Sequence, residues 1–298
     1  MIGAGTTVAE PAAGETAWVS AGTYALADRR IRSTTHRVYE AVQAHTGRTA
    51  LPEADPLYWL DVGPTQMMAP FDTYTSTVSL SATSQTWVIT PGYFNALALY
   101  AMQGTHLDVS IKDAPGGAVI YSLSQSLLQP VSGYYAWAFV PRRVITKLLL
   151  QDLPIRPNAE LTITISAGTG EPVGIGMCTL GDLSPLLSNE APWGGLQWKP
   201  TVEPVSYSYV GNNSDGTLKI VPRPSSTNLH LSVQLPLAYA DYAVEELQSV
   251  LNVPVTWVVP NAPGFQLFEF GIGSGVMSYD NLAEATFAIT VTGTIGTT

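Results

Sequence analysis

The chain has 298 residues, 46% of them hydrophobic, which is enough to bury a real core and implies two or three domains rather than one. Charge is sparse at 12%, and 13 Lys and Arg against 23 Asp and Glu give a net charge of −10 with a pI near 4.7. Phosphates of nucleic acid and anionic headgroups would repel the chain taken as a whole, so nucleic acid and membrane surfaces are not expected partners.

The single cysteine, Cys178, excludes an intrachain disulfide, and no Cys/His spacing suits zinc. The start MIGAGTTVAEPAAGET lacks the basic residues and apolar stretch of a signal peptide, and no apolar run is long enough to insert into a bilayer. Synthesis and folding in a cytoplasm are therefore expected. A mean hydropathy of +0.15 with so little charge points to a surface partly covered in an assembly.

Residues 1–16 are small and polar, without periodicity, and read as an N-terminal arm. Residues 17–65 form a small aromatic β module carrying Trp18, Tyr24, Asp28, Ile31 and Tyr39, with Arg29, Arg30, Arg32 and Arg37 among them. The spacing of Trp18, Tyr24, Asp28 and Tyr39 resembles the small chitin-binding-like modules of chitinases and phage tail proteins, with Ala27 standing where those modules usually have Gly. That resemblance implies a glycan-binding role for Trp18, Tyr24 and Tyr39. The alternative is that these rings form the module's own core.

The module ends in WLDVGPTQMMAPFD, residues 59–72, where Gly63-Pro64 is expected to turn the chain and act, with Asp61, as a hinge between modules. The order Asp61, Gly63, Pro64, Thr65, then an apolar run and Phe71-Asp72, resembles structural proteins of tailed-bacteriophage tails.

Residues 66–182 carry the alternation of strands, expected at 75–81, 86–90, 96–102, 107–112, 119–123, 134–139, 147–150 and 161–166, with turns at Pro91-Gly92, Gly104 and Pro115-Gly116-Gly117. Many short strands at this spacing imply an antiparallel sandwich or jelly roll. The thread through 95–99, 108–111 and 162–165 resembles the galactose-binding-like jelly roll of the same tail proteins. Residues 183–204, with Pro185, Pro192 and Pro200 around Trp193 and Trp198, read as a linker whose tryptophans pack onto a neighbouring domain.

Residues 205–298 change layout. Strands are expected at 206–209, 217–221 and 228–235, then a helix over 239–251 with Asp241 as N-cap, then strands at 255–259, 265–271 and 285–292, with 276–281 as a loop. The order of strands, helix and strands, with Val-x-Trp-Val at 255–258, resembles the ring-building C-terminal part of the tail family. The fold class is thus mainly β and multi-domain, an antiparallel jelly-roll sandwich followed by a β-sheet domain with one helix. The uncharged run 286–294 is expected to be an edge strand in need of cover. Tyr242, Leu247, Val250, Trp257 and Ile289 are the expected assembly residues.

Chemistry-bearing motifs are sparse. His36, His45, His106 and His230 are scattered, and no catalytic, metal or cofactor site is expected. Gly271-Ile272-Gly273-Ser274-Gly275 superficially matches a phosphate loop but no helix follows it. Asp61 and Asp72 are better read as turn and cap residues than as a glycosidase pair. Cys178, in an apolar run, reads as a small core residue.

The resemblance implies a non-enzymatic structural protein of the virion tail, at the tail tip or baseplate. It would be made in the host cytoplasm, with other tail proteins and copies of itself as partners. The alternative is a receptor- or glycan-binding tail module that contacts a cell-surface glycan.

Overall fold

The computed structural model describes residues 2–74, 76–168, 170–212, 216–262 and 265–294. The chain is mainly β with antiparallel sheets throughout, and it divides into two compact units, one comprising Met1–Asp72 and Thr77–Gly181 and the other Thr73–Ser76 and Asp182–Thr298. No helix among the described residues is long and apolar enough to cross a membrane.

The first unit begins with the aromatic module. Strands Arg29–Arg32, Arg37–Ala41 and Trp59–Pro64 form one small sheet, and Thr23–Tyr24 pairs with His45–Thr46 beside it. The expected hinge is part of that sheet. Gly63 pairs with Val38 and Pro64 with Arg37, and the register slips between Val38 and Tyr39. Val62 is the extra residue of a bulge, and Gly63 beside it has a φ of 149°, a conformation open to glycine. Pro64, which cannot donate a hydrogen bond, is tolerated because Trp59–Pro64 is the outer strand. The chain turns only afterwards, at residues 65–68, where Met68 N bonds Thr65 O.

The sandwich follows. A four-stranded sheet runs Val119–Ser126, His106–Lys112, Glu160–Ser166, Ser84–Ile89, and a three-stranded one runs Leu148–Leu150, Ala96–Tyr100, Met177–Gly181, with Ser79–Ser81 and Val173–Ile175 as a separate pair. Alternating residues of the first sheet, Trp87, Leu107, Val109, Ile111, Leu161, Ile163 and Ile165, meet Leu97, Leu99 and Cys178 of the second in one core. Period-two alternation makes this assignment unambiguous, because a slip of one residue would turn every one of these side chains to water.

The N-terminal arm is not loose. Gly3 N donates to Val88 O at 2.6 Å and Thr7 N to Thr86 O at 2.9 Å, while the Thr6 and Thr7 hydroxyls accept from Val88 N and Thr86 N. The arm thereby covers the outer edge of Ser84–Ile89, which would otherwise be open to pairing with another chain. Its glycines are needed there, since a Cβ on Gly3 or Gly5 would lie 3.1 or 2.9 Å from the Val88 side chain.

Residues 134–139, expected as a strand, form the short helix Tyr134–Phe139. The run YYAWAF offers no alternation and no partner strand. Gly133, at φ 90°, redirects the chain before it, and Trp137 N closes a helical turn on Gly133 O.

In the second unit, one sheet runs from Gly195–Leu196 and Thr201–Ser206, both paired to Ser225–Pro236, through Glu284–Gly293 and Phe265–Tyr279 to Val255–Ala262. The expected linker thus supplies two strands, and the loop expected at 276–281 is largely strand, which continues to Tyr279. The helix Ala240–Ser249 buries Ala240, Ala243 and Leu247 against Leu229, Leu235, Phe287 and Val291. Its N-cap is Tyr239 without a side-chain bond, and Asp241 lies in the first turn, where a carboxylate suits the helix dipole. Trp198, expected to pack onto a neighbour, is 85% exposed.

Candidate functional site

The aromatic module shows where its rings are used. Tyr24, Tyr39, Ala41 and Trp59 are buried together, with Trp18 and Tyr58 packed around them. Tyr24 meets Trp59 edge to face at 4.9 Å, and His45 lies 5.1 Å from both Trp59 and Tyr58. The Tyr24 hydroxyl is spent on Val19, accepting from its N–H and donating to its carbonyl. Arg32 covers Trp18 at 5.3 Å, Arg30 covers Tyr24 at 5.3 Å and Arg48 covers Tyr58 at 3.7 Å. Tyr24 and Tyr39 therefore offer no free face for a sugar, and Trp18 is half-buried beneath a guanidinium. The structure brings the three together as a core.

The arginines are matched to carboxylates: Arg29 to Glu40, Arg30 to Asp28, Arg32 to Glu53, Arg37 to Asp61 and Arg48 to Asp55. Asp61 takes both oxygens to Arg37 Nε, at 2.8 and 3.1 Å, and accepts from Gly63 N at 3.1 Å, so it fastens the bulge rather than flanking a reaction. That hydrogen bond holds the Arg37 guanidinium above its ordinary pKa. Asp72 accepts from Thr77 Oγ1 at 2.6 Å.

Three histidines sit beside carboxylates: His36 with Glu10, His106 with Asp108 and His230 with Glu203. No group of three or more His, Cys, Asp or Glu among the described residues could hold a metal ion. Burial pushes the Cys178 thiol up to about 12, which leaves it protonated and unreactive at neutral pH.

The glycine-rich stretch 271–275 lies inside strand Phe265–Tyr279, and its spacing is a packing device. A Cβ on Gly273 would meet Trp257 Cζ2 at 2.1 Å, and one on Gly275 would meet Phe287 at 2.7 Å and Leu247 at 2.8 Å. Trp257 Nε1 also donates to Gly271 O at 3.2 Å. The period-two glycines flatten one sheet face so that an indole and a helix can lie on it.

The expected assembly residues fall within that same layer. Ile289 and Leu247 are buried, while Val250 and Trp257 pack partly buried against the same core; Tyr242 is half-buried on the helix. Glu284–Gly293 is no edge, since it pairs with Ser225–Pro236 on one side and Phe265–Tyr279 on the other. Its lack of charge is that of an interior strand.

The strands expected at 206–209 and 217–221 form an exposed hairpin, with the first of them shifted to Tyr209–Asn212. Tyr209–Asn212 pairs with Leu218–Val221, continuing beyond the ladder that ends at Ser206 and Ser225. Ser208 Oγ fastens its base by accepting from Arg223 N at 3.1 Å and donating to Arg223 O. Val210, Ile220 and Leu218 share one face, Tyr209 and Val221 the other, and all five are exposed. Between Tyr209 and Val221 the only charged residues are Asp215 and Lys219. A two-stranded hairpin with apolar side chains on both faces is marginal in water on its own and becomes stable when another surface covers it. Near this sheet's edge a shallow cleft of about 280 Å³ is lined by Trp193, Gly194, Gly195, Leu196, Gln197 and Gln234.

Comparison with protein-family models, with curated proteins and with solved structures found no match for this chain.

Proposed function

We propose that this chain is a structural subunit that works through assembly rather than catalysis, in the tail tip or baseplate of a bacteriophage virion. The observation that carries assembly is the exposed, nearly uncharged hairpin of Tyr209–Asn212 and Leu218–Val221. Such a ribbon loses apolar surface to water only when a second copy or a neighbouring tail protein packs on it. The tail itself is supported by the resemblance of the segment from Asp61 to Asp72 and of the strand, helix and strand order of the last domain. Made in the host cytoplasm, the chain would be taken up into the tail.

The test replaces residues 208–223 by Gly-Gly, which leaves the buried residues of the sheet in place. The full chain is expected to form higher-order species in sedimentation velocity, and the shortened chain to lose them while keeping its circular dichroism and melting behaviour. Unchanged self-association would remove the hairpin as the assembly surface.

A further inference from the structure

The acidic chain has one long stretch of opposite character. Between Asp113 and Asp152 there is no acidic residue, and the loop within this stretch carries Arg142, Arg143 and Lys147. Its neck is closed: Leu127 is buried, Leu128 bridges Val144, Gln129 N donates to Arg143 O at 2.9 Å and Ile145 N to Leu127 O at 2.7 Å. Val144 and Ile145 pack on the sandwich core. Beyond that neck the short helix Tyr134–Phe139 presents Tyr134, Tyr135, Trp137 and Phe139 at 80, 73, 61 and 70% exposure.

These rings meet one another as tilted pairs, and none of them belongs to the sandwich core. Tyr134 and Trp137 are 6.1 Å apart and Tyr135 and Phe139 5.2 Å. Arg142 and Arg143 have no carboxylate partner among the described residues, in contrast to the arginines of the aromatic module.

We infer that this tip docks on an anionic lipid surface. Tyr and Trp combine an apolar ring with a polar group and settle at the depth of the headgroups, Phe139 and Val140 supply purely apolar surface, and Arg142 and Arg143 supply the charge that anionic headgroups attract. The net charge of −10 weighs little against such contact, because acidic residues further from the headgroups than the screening length, about 8 Å in physiological salt, are largely screened and the cations of the tip itself decide. A sugar is a poorer occupant. Between Pro130 and Pro141 the sequence contains no Asp, Glu, Asn, Gln or His to address hydroxyl groups.

The experiment is flotation of the full chain with vesicles of phosphatidylcholine alone or mixed with phosphatidylglycerol, at low and high salt. It is repeated for the double variants Trp137→Ser/Phe139→Ser and Arg142→Gln/Arg143→Gln, whose altered side chains are exposed and whose folding is checked by melting. Binding is expected with the anionic vesicles, about tenfold weaker or more in either double variant, and salt-sensitive. Absence of binding, or binding that neither variant weakens, overturns the inference. So does self-association in sedimentation that Trp137→Ser/Phe139→Ser abolishes, because the tip would then be covered by a second copy.

Discussion

Thr65 Oγ1 donates a 2.6 Å hydrogen bond to the carboxylate of Glu10, 55 residues earlier in the chain. The other oxygen of Glu10 lies 2.7 Å from His36 Nδ1, and Thr65 itself is fully buried. One carboxylate thus ties the N-terminal arm to the aromatic module and to the turn that leaves it. Glu15 adds a second tie by accepting from Gln66 N at 2.7 Å.

Glu10→Ala leaves the Thr65 hydroxyl buried without its acceptor, and is expected to cost about 1–3 kcal/mol of stability. Urea unfolding measures it. Glu10→Gln, which keeps an acceptor for Thr65, should lose less. Equal losses in the two variants would mean that the His36 contact, not the Thr65 bond, carries the energy.

Ala27 holds φ at 67°, a region that costs a residue with a Cβ, while its N–H bonds Ala41 O at 2.7 Å. Ala27→Gly is expected to relieve that strain and raise stability by roughly 0.5–1 kcal/mol, partly offset by the greater freedom of glycine in the unfolded chain. A small rise in melting temperature checks it.

Gly273→Val drives a side chain into the Trp257 ring and is expected to unfold the second unit's sheet or cost several kcal/mol, about 3 or more. Ile272→Thr, on the opposite and exposed face, should change stability by less than about 1 kcal/mol. Paired melts of the two variants read the contrast directly.

Cys178 is buried with its thiol pushed up to about 12. A thiol reagent at pH 8 should leave the folded chain unlabelled and label one thiol per chain in urea. Because the folded value lies above the ordinary 9, the group's contribution to stability is whole below about pH 9 and is lost as the pH rises towards 12. Cys178→Ala should therefore show a shallower loss of stability over that alkaline range.

Much of the fold was legible because its cores obey period two. Leu107, Val109 and Ile111, or Leu161, Ile163 and Ile165, announce their strands and their buried face without tertiary information. The aromatic tip was not legible, since YYAWAF carries strand-forming residues and only the absence of a partner strand lets it coil. Gly63-Pro64 misled for the opposite reason. Residues that usually break a strand are accommodated in this one by a bulge and an outer position. The exposed hairpin has the composition of an ordinary strand pair, and nothing local records that its two faces lack a second layer.

The central claim, assembly into a phage tail, is tested most directly by mass spectrometry of virions purified from cells infected by a phage whose copy of the gene for this chain is deleted, complemented with either the full chain or the version lacking residues 208–223. The full chain is expected in virions at several copies per particle, and the shortened chain in the soluble fraction. Virions that are infectious and contain neither form would contradict it.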